Sequence, residues 1–304
     1  MDARHSPSPA AASFPARVRA RLGQFIRQRL FGSKVTRIAC HRSLLEQLRL
    51  SSPAEARLFR GELVKDHKGR RDILRITIPC PEQSEVGLSQ VKTFFLKRNW
   101  KPYRKDGLAS LFRHGSVWSA SRQEWENGQA LAKAGVRTAT AVAYGEDCGP
   151  FWEHFSYLLT EAAVGTQTVE HFLRQCGDRA ERRRVFDALA REVRRMHDAG
   201  LATPDLFTRH VFVNLNVNPP QFCWIDMARL DQARSLPRRR RARDLAALNI
   251  TAPLRFVSAR ERIRFLIQYA GEVDKNLACQ IRRRMNHLLV RKKFRDFKAK
   301  ASAA

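Results

Sequence analysis

An α+β chain, strand-rich in its first half and mainly helical in its second, is what this sequence predicts, and three observations carry the prediction. Short apolar runs broken by turn residues occupy the region from Phe59 to Lys97. Val185, Phe186, Leu189, Val193 and Met196 then recur at helical spacing, which marks a helix from about 181 to 199. After Gly200, a natural helix stop, come two short apolar runs, Val211–Val213 and Phe222–Ile225. Asn214, Asn216, Asn218, Pro219 and Pro220 separate them as turn formers. A chain of 304 residues can bury a large core, as one two-lobed unit or as two domains.

The elements follow in order. Residues 1–13 are rich in Ser, Pro and Ala and read as disordered. From Phe14 onward, Val18, Leu22, Phe25, Ile26 and Leu30 line one helical face, with arginines mostly opposite. A basic amphipathic helix of this kind lies on an anionic membrane or packs on its own core. No apolar h-region follows the arginines, so a signal peptide is not expected, and no run is long enough to span a bilayer. This arm is assigned to residues 1–36, a nucleotide-binding lobe to 37–160 and a catalytic lobe to 161–304.

Two segments around Gly61 and Gly69 read as strands joined by a turn, without a G-x-G-x-x-G loop. Backbone amides next to Gly69, aided by Arg70 or Arg71, could cradle a phosphate; a plain β-turn explains the stretch equally well. Thr93–Lys97 reads as a strand with Lys97 at its end. Ser116–Ala134 reads as a helix closed by Gly135, carrying Glu124 and Glu126 as rival partners for that lysine. Trp100–His114, between them, reads as a basic loop. Further on, Arg238–Arg243 precedes Asp244, which is expected to open a helix through Asn249, either favoured by the helix dipole or anchoring the loop above it.

The chemistry concentrates in Thr203-Pro204-Asp205, His210 and Asp226. Phosphoryl transfer from ATP needs one carboxylate to orient the attacking hydroxyl and two groups to hold Mg²⁺ on the phosphates. Protein kinases meet this need with H-R-D-x-x-x-x-N and D-F-G. Here His210 stands where the Asn would be, and Asp226-Met227-Ala228 replaces D-F-G. A neutral imidazole is a poor Mg²⁺ ligand, so His210 either ligates or hydrogen-bonds to Asp226 or a phosphate. Lys97, steadied by a helix-borne Glu, would neutralise the α- and β-phosphates.

Taken together, Phe-Leu-Lys97-Arg, Glu124-Trp-Glu-Asn-Gly-Gln-Ala-Leu, Ala134-Gly-Val-Arg-Thr, Leu-Leu-Thr160-Glu161, Arg195-Met-His-Asp-Ala-Gly200, Pro204-Asp205-Leu-Phe-Thr-Arg-His210 and Ile225-Asp226 resemble the lipopolysaccharide kinase family. The similarity runs from about Phe59 to Gly271. It implies a bilobal, eukaryotic-protein-kinase-like fold and phosphorylation of heptose or Kdo in lipid-linked core glycans. It further implies Lys97 and Glu124 as the phosphate-binding ion pair, Asp205 as catalytic base, and His210 and Asp226 on the metal side. Thr160, Glu161 and Ala162 would form the hinge that receives adenine. Two departures stand out: Thr203-Pro204 replaces the usual His-Arg, and the Gly-rich loop is thin.

Composition bounds the partners. Lys+Arg 57 against Asp+Glu 29 gives a net charge of +28, which draws anionic partners of every kind. The expected acceptor is an anionic glycolipid or sugar, met at the inner face of the cytoplasmic membrane; oligomeric state is left open. A kinase-fold scaffold with weak or no nucleotide binding is the alternative. Nucleic-acid binding ranks last, because no recognition module accompanies the charge. Six scattered cysteines (Cys40, Cys80, Cys148, Cys176, Cys223, Cys279) point to reduced thiols in a cytoplasmic protein.

Overall fold

Antiparallel pairing organises the first half of the chain. The computed structural model describes residues 33–38, 42–79, 91–165, 167–252 and 255–290. The amphipathic stretch Phe14–Leu30, Cys40, Cys80 and the basic run from Arg291 lie outside the described residues. Six strands form the first sheet: β1 (Ser33–Ile38), β2 (Glu62–Asp66), β3 (Arg71–Pro79), β4 (Val91–Asn99), β5 (Ala141–Cys148) and β6 (Glu153–Glu161). Their spatial order is β1-β5-β6-β4-β3-β2. Alternation along β4 sends Phe94, Leu96 and Arg98 inward and leaves Lys97 on the opposite face. Lys97 lies within the strand rather than at its end, because β4 continues to Asn99 in register with β6.

The two short helices α1 (Arg42–Gln47) and α2 (Pro53–Leu58) cover the inward face. Leu45, Leu50, Leu74, Phe94, Phe155 and Leu159 are among the buried residues of this core. Arg98 closes it by pairing with Asp72 at 2.7 Å and donating to the carbonyl of Phe59 at 2.9 Å. Between β4 and β5 stand α3 (Arg104–His114) and α4 (Ala120–Lys133). Trp100–His114 is therefore not a loop. Gly107 stands inside α3, where a Cβ would sit 2.8 Å from the Phe151 carbonyl oxygen, so the glycine serves a close approach.

The second half is helical: α5 (Val169–Gln175), α6 (Arg179–Asp198), α7 (Arg238–Thr251), α8 (Ala259–Ala270) and α9 (Lys275–Leu289). Short strands β7 (Gln167–Thr168), β8 (Leu201–Ala202), β9 (Val211–Asn214), β10 (Gln221–Trp224) and β11 (Asp231–Gln232) lie between α5 and α7 or flank them. The apolar face of α6 packs Val185, Leu189, Val193 and Met196 into a second core shared with Trp224, Leu245 and Leu248. Gly200 ends that helix at φ 78°, where a side chain would strike the Ala233 backbone. The arginine run is a correction: Arg238–Arg243 forms the first turns of α7, and Asp244 lies inside the helix, not at its start. Arginine is a good helix former, so the run extends the helix back to Pro237. Leu131 and Val136, at the end of α4, belong to the second core, so α4 bridges the lobes.

Candidate active site

The residues singled out by the sequence come from both lobes. Lys97 leaves the outer face of β4, and its Nζ pairs with Oε1 of Glu124 on α4. Glu124, not Glu126, is the partner. Ser119 caps α4 by accepting from the Arg122 amide at 3.0 Å, which starts the helix so that Glu124 faces the sheet. Arg71 donates to the other oxygen of Glu124 at 3.4 Å and lies 3.9 Å from Asp226 Oδ1. One carboxylate therefore holds two cations, and the second cation reaches toward Asp226.

Gly69 sits apart. Lys68 and Gly69 both have positive φ (56° and 66°), as a primed hairpin turn requires. The Gly69 amide donates to Asp66 Oδ1 at 2.9 Å and the Arg70 amide to the His67 carbonyl at 3.2 Å, so the turn uses these donors internally. In the Thr160–Ala162 segment, the Glu161 amide donates to Thr140 and the Ala162 amide to Thr93, which fixes this crossing between the lobes.

The loop after α6 is built from below. The Thr203 amide donates to Asp244 Oδ2 at 2.5 Å, and the Asp205 amide to Thr203 Oγ1 at 3.2 Å. Asp244 is fully buried, with His197 Nε2 3.4 Å from the same oxygen and Arg243 on the other at 2.8 Å. Thr208 is pinned to α7 through Thr251. The Ile225 amide donates to the His210 carbonyl at 2.9 Å, bringing the end of β10 beside this loop. Asp226 then adopts φ 59°, an uncommon left-handed conformation for a residue with a Cβ, and its side chain is 44% exposed.

His210 bridges the two aspartates. Its Nδ1 lies 3.1 Å from the Asp205 carbonyl oxygen, which only accepts, so Nδ1 carries the proton. Nε2 accepts from Arg209 Nε at 3.2 Å and stands 3.9 Å from Asp226 Oδ2. Burial lowers the imidazole below its usual value, in keeping with this neutral tautomer, although Asp226 pulls the other way. Burial tends to raise the Asp226 carboxyl, but the cations Lys97 and Arg71 outweigh it, so the group stays ionised below its usual range. Among the described residues no cluster of three or more metal-type side chains converges. The donors fit a magnesium ion that takes its remaining oxygens from phosphates and water: the partly exposed Asp226 carboxylate is a hard ligand, with the Nε2 lone pair of His210 beside it.

Sequence reasoning missed two residues. Arg229 Nε donates to Asp205 Oδ2 at 2.5 Å, and its Nη2 pairs with Oδ1. Asn127, one turn beyond Glu124 on α4, donates to the Met227 carbonyl at 2.8 Å and to Ala228 at 3.1 Å. Its spacing from Glu124 places it on the same helix face, which was a usable signal; for Arg229 the sequence held none. A cavity of about 670 Å³ lies between the lobes, with Lys97, Glu124, Thr160 and Asp226 among its lining.

Comparison with known proteins gives a consistent set of likenesses. The family profile described as "Lipopolysaccharide kinase (Kdo/WaaP) family" matches residues 59–269. The lipopolysaccharide core heptose(I) kinase WaaP of Pseudomonas aeruginosa is 32% identical over 157 residues, 49% of this chain and 59% of that protein. This match spans less than two thirds of the relative's length. WaaP of Escherichia coli K12 is 24% identical over 229 residues, covering 72% of this chain and 81% of the relative. A solved structure titled "WaaP in complex with acyl carrier protein" superposes with a TM-score of 0.60 at 25% identity, over 83% of this chain and 99% of that one. The α+β architecture expected from the sequence is the one they share.

Proposed function

The chain belongs to the lipopolysaccharide kinase (Kdo/WaaP) family, and from that premise we propose that it transfers the γ-phosphoryl group of Mg-ATP to a sugar hydroxyl of a lipid-linked core glycan. Its curated relatives are named kinases of a core heptose, phosphotransferases with an alcohol group as acceptor. The observation that carries the reading is one cleft in which the Lys97–Glu124 pair, Asp226 and Asp205 face one another through Arg71 and His210.

In this mechanism Lys97 steadies the α- and β-phosphates and is itself held by Glu124. Asp226 would hold Mg²⁺, with His210 fixing the approach of the two loops. The metal, when bound, neutralises charge developing on the phosphate oxygens. Thr160, Glu161 and Ala162 form the crossing against which adenine is held, and Arg71 adds positive charge near the phosphates. Gly69 stands at the tip of the covering hairpin. Asp205 orients the acceptor hydroxyl and takes its proton as the oxygen attacks phosphorus and the bond to ADP breaks. The net charge of +28 favours an anionic glycolipid acceptor and work at an anionic membrane face.

Two measurements test this. Thermal unfolding with Mg-ATP, with ATP plus chelator, and after Asp226→Ala should give a shift that needs both the metal and Asp226. Saturation at about 100 times the dissociation constant stabilises by roughly 2.7 kcal/mol. Asp205→Asn should lower transfer by about 10²–10⁴-fold without changing the melting point by more than a few degrees. No shift at millimolar Mg-ATP, with no transfer to any core sugar, would favour the scaffold instead.

A further inference from the structure

We propose that Arg229 is a specificity-determining gate on Asp205, which it releases only for an acceptor carrying its own acidic group beside the reacting hydroxyl. The inference rests on the reading of Asp205 as the base. Each carboxylate oxygen of Asp205 meets an N–H of the same guanidinium. This fork matches a carboxylate or phosphate in plane and spacing, which makes it a selective contact as well as a charged one.

The backbone on either side of Arg229 is fixed. Met227 and Leu230 are buried in the second core, and Asn127 grips the carbonyls of Met227 and Ala228. The side chain is exposed by contrast: Arg229 is 60% exposed, while Asp205 is 11% exposed. The guanidinium end of this pair is wet, so a second anion that takes the place of Asp205 offsets part of the cost of leaving that carboxylate. The anchor therefore stays still while the arm can turn.

Proton transfer supplies the reason it must turn. When Asp205 takes the hydroxyl proton, its negative charge disappears, and a guanidinium left in place would face a neutral acid. An acceptor with a carboxylate or phosphate near the hydroxyl offers Arg229 a replacement anion at the moment the base is needed. Water offers none, so Asp205 stays covered and wasteful hydrolysis of ATP is suppressed. The exposed Arg209, which stacks over Phe207 and donates to His210, adds a second cation to the loop that carries Asp205.

The test compares Arg229→Ala and Arg229→Lys with the parent and with Asp205→Asn. Readouts are hydrolysis of Mg-ATP without acceptor, and KM and kcat for a deacylated, heptose-containing core oligosaccharide. The oligosaccharide is used intact, with its carboxylates amidated, and after phosphatase treatment. Arg229→Ala should raise acceptor-free hydrolysis about tenfold or more, because the base is uncovered. It should raise KM for the intact oligosaccharide about 10- to 100-fold with kcat within a few-fold of the parent, the scale of a charge-assisted pair. Arg229→Lys, which keeps charge without the fork, should fall between. Removing the paired acidic group, by amidation or by phosphatase, should erase the KM difference between parent and variant and lower kcat for the parent alone, which still covers Asp205, and so name that group. Arg229→Gln replaces the alanine variant if that one melts early. Hydrolysis and KM both within about twofold of the parent, with Asp205→Asn inactive, would overturn the gate alone. Near-parental turnover by Asp205→Asn would overturn the reading of the base, and the gate with it.

Discussion

Asp226 shows how much the site asks of one residue. Its left-handed backbone costs on the order of 1–3 kcal/mol, held in place by the Ile225–His210 hydrogen bond before it and the Asn127 clamp after it. Beside it, His210 is kept neutral because burial lowers its imidazole. The sign follows: as pH falls below 6.5 the unfolded chain takes the proton first, so stability and the neutral tautomer are lost on the acid side. The acid midpoint of the transfer rate should therefore lie below about 6.5, and a pH profile with its midpoint at or above that value would refute the neutral assignment. At this scale Asp205, His210 and Asp226 were legible because their spacing matches what phosphoryl transfer requires. Arg229 was not: nothing in a chain with 57 Lys+Arg marks which arginine will close on a given carboxylate.

Helix α4 is held at its start as well as along its face. The Ser119 amide donates to Glu146 at 3.3 Å and the Ala120 amide to Glu153 at 2.9 Å, so two buried carboxylates from β5 and β6 sit at its N-terminus. Burial pushes Glu153 up to about 7, with the Ser156 and Ala120 hydrogen bonds opposing and Glu146 reinforcing. Between 4.5 and about 7 the folded chain binds the extra proton, so stability falls as pH rises across that window. Glu153→Gln keeps an acceptor for Ala120 and removes the charge. It should raise the melting point by a few degrees at pH 8 and leave it nearly unchanged at pH 5, as read by parallel melts; equal shifts at both values would sink the idea. Elements were legible where periodicity was clean, as in α6 and β4. They were missed where charge masked the pattern: Trp100–His114 reads as a basic loop although Arg104–His114 is helix, and the helix expected to open at Asp244 begins at Arg238.

Across the whole molecule, +28 charges repel one another in a folded volume. The ion pairs that matter to the site, Lys97–Glu124 and Arg98–Asp72, are partly buried and are screened less than the surface charge. Raising NaCl from about 20 to about 300 mM should then raise the melting point by a few degrees, and a fall would mean that surface ion pairs outweigh repulsion. The two-lobed plan was legible because each half carries its own pattern. The way the lobes join was not, since it depends on Asn127 finding two carbonyls a hundred residues along the chain. That joint has a pharmacological meaning. Glu124 and Asn127 ride on one helix, and Gly128, Gln129 and Ala132 of the same helix line the interlobe cavity together with Lys97, Thr160 and Asp226. A small molecule wedged on that side would push the lysine partner and the metal carboxylate out of step together. For inhibitor chemistry the address is then the helix wall of this cleft, where a compound would displace ATP and disturb the joint at once.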